Sequence, residues 1–66
     1  MIKEWVEELF DSCREGIEEI DIETAREDLK RFAEEGWTLP DGITAEDYCE
    51  IWNELVREQN KQAREQ

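Results

Sequence analysis

Hydrophobic residues recur at three- and four-residue steps in three segments of the chain, and each segment predicts an amphipathic helix. The first runs from about Ile2 to Arg14 on the following apolar positions: Ile2, Trp5, Val6, Leu9, Phe10 and Cys13. Gly16 then provides a stop, because glycine readily takes the left-handed conformation that ends many helices. A competing interpretation continues this helix through Gly16 to Ile20, since Ile17 and Ile20 extend the apolar stripe.

The second predicted helix begins after Asp21, a favourable N-cap residue. Its apolar stripe consists of Ile22, Ala25, Leu29, Phe32 and Ala33. Gly36 occupies the position where a left-handed residue belongs, and Trp37 just after it is expected to fold back on Phe32. The pattern therefore predicts a Schellman ending for this helix.

The third helix has the best-marked start. The stretch from Thr38 to Gly42 reads as a turn with Pro40 at its second position, and Thr44 then supplies an N-cap with Asp47 three residues on. Ile43 is expected to pack on Tyr48 across this cap. The apolar stripe consists of Tyr48, Cys49, Trp52, Leu55 and Val56, and the helix is predicted to reach about Glu58.

The predicted fold class is all-α, a small three-helix bundle, because no segment alternates polar and apolar residues as a strand does. Residues 1–58 form the single predicted domain. Residues 59–66 carry no apolar stripe, so they are predicted to be a polar helical extension or a frayed tail. A chain of 66 residues lies near the lower size at which one hydrophobic core suffices.

Charge changes the functional picture more than the fold. The chain has 20 acidic and 8 basic residues, a formal net charge of −12, and residues 1–56 alone hold 18 acidic against 5 basic residues. Phosphate and anionic lipid both attract basic surfaces, so direct binding to nucleic acid or to a membrane is disfavoured. A charged solvent face without further purpose is the simplest interpretation of such an excess.

The acids form two rows at helical spacing, which are the candidate partner-binding residues. One row on the first helix comprises Glu4, Glu8, Asp11 and Glu15, and the other on the third helix comprises Glu46, Glu50, Glu54 and Glu58. Like charges four residues apart cost a few tenths of a kcal/mol per pair, whereas ordinary helices gain from opposite charges there. Carboxylates about 6 Å apart along a helix are spaced to imitate a row of phosphates.

Catalytic and metal chemistry are not predicted. Histidine is absent, which removes imidazole bases, the usual zinc ligands and the Glu-x-x-His pattern of di-iron bundles. The Asp41-Gly42 loop lacks the alternating oxygen ligands of a calcium-binding loop. We therefore expect no enzyme activity, no cofactor and no metal site. Cys13 and Cys49 fall on apolar stripes, where reduced and sheltered thiols are expected.

In size, acidity, helical pattern and lack of catalytic groups, the chain resembles the small acidic inhibitors made by phages and mobile elements, notably anti-CRISPR proteins and related DNA mimics. The resemblance implies that the acid rows block DNA access to a CRISPR effector complex in the bacterial cytoplasm. No signal peptide or apolar run long enough to span a bilayer is present in the sequence, in keeping with that location.

The second helix departs from a uniformly acidic mimic. Arg26, Lys30 and Arg31 place positive charge on the second helix. The alternative function is a helical interaction adaptor or a homodimerising regulatory protein, for which Trp37 and Trp52 are the candidate anchors, because tryptophan is favoured at interface hot spots.

Overall fold

The computed structural model describes residues 1–13 and 17–64, with side chains described through Lys61. It contains three helices: α1 spans Ile2–Ser12, α2 spans Ile22–Glu34 and α3 spans Ala45–Arg64. The described ranges contain no strand. The predicted all-α three-helix bundle is confirmed.

Helix α1 ends earlier than the apolar pattern predicts. Cys13 already has an extended backbone, with φ −86° and ψ 129°, and residues 17–20 are not helical. The interpretation that continued the helix to Ile20 is therefore wrong for Ile17 and Ile20. The predicted end at Arg14 and stop at Gly16 lie outside the described residues. Instead, the backbone groups of Glu18 and Ile20 form hydrogen bonds with side chains of α3.

Helix α2 has the two ends that the sequence predicts. The Asp21 carboxylate accepts a hydrogen bond from the Thr24 backbone N–H at 2.8 Å. At the other end Gly36 has a φ of +88°, and the Trp37 backbone N–H donates to the Phe32 carbonyl oxygen at 3.0 Å. The rings of Trp37 and Phe32 stack with their centroids 4.7 Å apart. The hydrogen bond and the hydrophobic contact together make a Schellman ending.

The turn before α3 differs by one position from the prediction. The Ile43 backbone N–H donates to the Pro40 carbonyl oxygen at 3.3 Å, so Pro40 is the first residue of the turn and not the second. Gly42 is then the third residue and has a φ of +77°. A type II turn needs positive φ at its third position, and glycine takes that conformation at least cost, so the position of Gly42 decides the register.

Helix α3 is the longest element and the one against which α1 and α2 both pack. The Thr44 hydroxyl oxygen accepts from the Asp47 backbone N–H at 3.1 Å, which confirms Thr44 as the N-cap. The helix continues beyond Glu58 to Arg64. The polar extension is therefore helical as far as the structure describes it.

The core lies where the three helices meet. Its buried residues are Val6, Ala25, Phe32, Tyr48, Trp52 and Val56. Trp5 of α1 makes edge-on contacts with Phe32 of α2 at 6.2 Å and with Tyr48 of α3 at 6.3 Å, so one indole joins all three helices. Aromatic pairs in this geometry contribute about 0.5–1.5 kcal/mol beyond the apolar area they bury.

Candidate partner-binding surface

The four carboxylates predicted on α3 all lie on the exposed side of that helix. Glu46, Glu50, Glu54 and Glu58 are each exposed. A step of four residues advances about 400° around a helix, so successive members are displaced by about 40° and the row winds slowly around α3. Glu46 lies in the first turn, where the helix dipole favours a negative charge.

The row predicted on α1 is described in three of its four positions. Glu4, Glu8 and Asp11 are exposed, and Glu15 lies outside the described residues. Glu4 forms an ion pair with the amino group of Met1. Glu8 and Asp11 therefore carry the negative charge of this row most openly.

A groove between α1 and α3 brings the second half of the α3 row against α1. Its volume is about 360 Å³, and its lining consists of Lys3, Glu7, Ile51, Glu54, Leu55 and Glu58. Ile51 and Leu55 are half-buried at the floor, whereas Glu54 and Glu58 are exposed at the rim. The α1 residues in the groove are Lys3 and Glu7, which each precede a member of the α1 row. The groove thus places members of the α3 row, but no described member of the α1 row, beside an apolar surface.

Few carboxylates of the two predicted rows form ion pairs. Arg57 pairs with Glu19 at 2.8 Å and Arg31 pairs with Asp28 at 3.3 Å, and neither pair includes a member of the two rows. Among residues 1–13 and 17–61, Glu4 is the one row member with an ion-pair partner. The described members of both rows other than Glu4 are thus exposed carboxylates that form no ion pair with a described basic side chain.

Sequence reasoning missed a polar clamp that α3 applies to the segment before α2. Asn53 hydrogen-bonds both backbone groups of Ile20, at 2.7 Å and 2.8 Å. The Trp52 indole N–H donates to the Glu18 carbonyl oxygen at 2.9 Å, and the Cys49 thiol donates to the Ile20 carbonyl oxygen at 3.3 Å. A polar Asn53 directly beside the apolar stripe was the available signal, because an asparagine placed near a core needs hydrogen-bond partners.

Among the residues that the structure describes, two side chains have clearly shifted pKa values. Burial, followed by the nearby charge of Asp28, raises the pKa of the Tyr48 hydroxyl, which also lies 3.4 Å from the Asp28 carboxylate. Hydrogen bonds from Thr24 lower the pKa of the Asp21 carboxyl. Both groups support the fold: Tyr48 joins α2 to α3, and Asp21 caps α2.

The tryptophans considered as anchors have different environments. Trp52 is buried with 8% of its surface exposed, and its ring packs edge-on against Phe10 at 5.2 Å. Trp37 is 46% exposed and stacks on Phe32, over whose ring the Arg31 guanidinium also lies at 5.5 Å. Of the two, Trp37 is the one that a partner could contact without unfolding the core.

Comparison of the chain with protein-family models, with curated proteins and with solved structures gave no match. Within the described ranges, no helix combines the length and the apolar character that crossing a membrane requires. The same ranges contain no group of three or more Cys, Asp or Glu side chains placed to hold a metal ion.

Proposed function

We propose that this protein is an anti-CRISPR-type inhibitor, an acidic DNA mimic that binds a basic, nucleic-acid-binding bacterial defence complex. It acts in the bacterial cytoplasm by occupying the channel that target DNA would enter, and it cuts nothing. The observation that carries the proposal is the exposed α3 row from Glu46 to Glu58, whose carboxylates pair with no basic side chain in residues 1–13 and 17–61.

The rigidity of α3 supports this role. The helix spans Ala45–Arg64 and packs against both other helices, so the row keeps its spacing of about 6 Å before any partner arrives. A preformed helical backbone loses little conformational entropy on binding, so the cost of ordering is confined to the side chains of the row. Long-range attraction between an acidic surface and a basic channel also speeds their encounter.

Pull-down from a CRISPR-bearing bacterial lysate identifies the partner, and charge reversal then tests the mechanism with purified components. Glu50→Lys with Glu54→Lys is expected to weaken inhibition of DNA binding by about tenfold or more, because it reverses the centre of the row. The matched control is Glu27→Lys with Glu34→Lys, which makes the same change in net charge at exposed positions of α2. That control should inhibit nearly as well as the unmodified protein.

The alternative is a helical interaction adaptor or a homodimer that uses an apolar surface, and the 46% exposure of Trp37 favours it. Salt separates the two functions, because binding by a charge mimic weakens steeply with ionic strength and binding through an apolar surface hardly changes. If the double reversal at Glu50 and Glu54 keeps full activity while Trp37→Ala abolishes it in a folded protein, charge mimicry is wrong.

A further inference from the structure

The groove between α1 and α3 combines two chemistries that the acid rows alone do not. Its floor is aliphatic, formed by the half-buried side chains of Ile51 and Leu55. Its rim carries three carboxylates, Glu7, Glu54 and Glu58, and one ammonium group on Lys3. No ion pair within residues 1–13 and 17–61 involves any of these four charged groups. The groove therefore presents an apolar surface bordered by a net negative charge.

We propose that this groove binds a basic amphipathic segment of the protein partner, which inserts an aliphatic side chain between α1 and α3 and places lysine or arginine on the rim. The apolar floor favours a side chain that loses water on binding. The surplus of carboxylates favours basic residues next to that side chain in the partner's sequence. Leucine flanked by lysines at helical spacing satisfies both requirements, as in other helices that bind grooves.

The dimensions of the groove suit a segment better than an enclosed ligand. A volume of about 360 Å³ lies near the lower end of small-molecule pockets, which run from roughly 300 to 1,000 Å³, and the groove is partly open to solvent. One or two inserted side chains can fill such a space while their backbone stays outside. Nucleic acid is excluded as the occupant, because its phosphates would meet Glu54 and Glu58.

The inference deepens the proposed function and rests on it for the partner's identity, because Glu54 and Glu58 belong to both the α3 row and the groove. It changes the expected energetics. Carboxylates of the row act at a distance and are screened by salt, whereas insertion at Ile51 and Leu55 adds a contact that salt does not weaken. Part of the affinity is thus expected to persist at high ionic strength.

The test uses the full chain and a short synthetic peptide with leucines at helical spacing and lysines at its other positions. A second peptide replaces the leucines with serines and keeps every lysine. Fluorescence anisotropy should show the leucine peptide binding about tenfold or more tightly than the serine peptide. Chemical-shift changes on adding the leucine peptide should concentrate at the methyl groups of Ile51 and Leu55. Equal binding of the two peptides would overturn the proposal.

Matched variants locate the peptide. Glu54→Gln with Glu58→Gln is expected to weaken binding of the leucine peptide by about tenfold, since two rim carboxylates are lost. The control is Glu23→Gln with Glu27→Gln, an exposed pair of the same spacing on α2, and it should bind the peptide as the unmodified chain does. Circular dichroism verifies that both variants are folded. An equal loss in both variants would mean that the peptide senses only the overall charge, and the proposal would be wrong.

The groove assignment and the proposed function can be contradicted separately. A protein that binds the leucine peptide in the groove but blocks no defence complex contradicts the DNA-mimic function and leaves the groove assignment standing. A protein that blocks its defence complex but does not distinguish the two peptides contradicts the groove assignment alone.

Discussion

Asn53 forms two hydrogen bonds with the backbone of Ile20, as a residue of a neighbouring β-strand would. Its side-chain oxygen accepts from the Ile20 backbone N–H at 2.7 Å, and its side-chain nitrogen donates to the Ile20 carbonyl oxygen at 2.8 Å. One amide thus satisfies both backbone groups of a residue that lies in no helix, in a setting where unsatisfied buried groups are costly. The segment that leads into α2 is held against α3 by this pair.

Removing the amide should destabilise the fold. Asn53→Ala is expected to lower the free energy of unfolding by about 1–3 kcal/mol, because it leaves a partly buried N–H group without its partner. Urea unfolding followed by circular dichroism measures the change. The control is Asn60→Ala, an exposed asparagine on the same helix, which should unfold almost as the unmodified chain does. Equal stability of the two variants would show that the Asn53 amide contributes nothing to stability.

The contrast between α2 and the segment before it shows what the sequence can predict. Both ends of α2 depend on side chains within a few residues: Asp21 caps Thr24, and Gly36 places Trp37 on Phe32. Local signals of this kind are readable from sequence spacing. The non-helical segment before α2 depends instead on Asn53 and Trp52, which are distant in sequence from the backbone groups they bind. The period of an apolar stripe does not predict hydrogen bonds between residues so far apart in the sequence.

Likewise, only part of the candidate surface could be predicted from the sequence. Exposure of the α3 row follows from its position outside the apolar stripe, so the sequence was sufficient to predict it. The groove was not predictable, because it exists only where α1 packs against the second half of α3. That packing places Lys3 and Glu7 beside Glu54 and leaves Glu4 and Glu8 outside the groove lining. Helical period alone does not specify how two helices pack.

Substitutions of Gly36 test how strongly the end of α2 depends on a residue in the left-handed conformation. Its φ is +88°, and a Cβ built there meets no atom within 4 Å, so Gly36→Ala introduces backbone strain without a steric clash. We expect a loss of about 1–2 kcal/mol in the free energy of unfolding. Gly36→Asn should lose less, because asparagine tolerates this conformation better than alanine does. If both variants unfold like the unmodified chain, the Schellman ending is not stabilising.

The raised pKa of Tyr48 predicts that the folded protein loses stability at alkaline pH. Its ordinary pKa is 10.0, and burial together with the Asp28 charge raises the pKa in the folded protein. The folded state therefore holds the phenolic proton more tightly than the unfolded state does. Stability from this difference is fully present below the unfolded pKa and is lost as the pH rises through the folded pKa.

The measurement is direct, since Tyr48 is the single tyrosine of the chain. An absorbance titration of tyrosinate should show ionisation at a higher pH in the native protein than in the same protein unfolded in urea. Tyr48→Phe should show a weaker loss of stability in alkali, provided that it remains folded at neutral pH. Coincident titration curves for native and unfolded protein would contradict the burial of this hydroxyl.

The two thiols are predicted to be sheltered. Cys13 and Cys49 are free and half-buried, and the Cys49 thiol donates to the Ile20 carbonyl oxygen at 3.3 Å. Reaction with an alkylating reagent requires access to the sulfur, so labelling of the native protein should be much slower than labelling in urea. The Cys13→Ser and Cys49→Ser variants each leave one thiol to follow. Cys49 should be the slower of the two, because its hydrogen bond and the clamp around Ile20 must open before the reagent reaches it. Labelling of both thiols in the native protein as fast as in urea, or an intact mass lacking the hydrogens that a disulfide removes, would contradict this prediction.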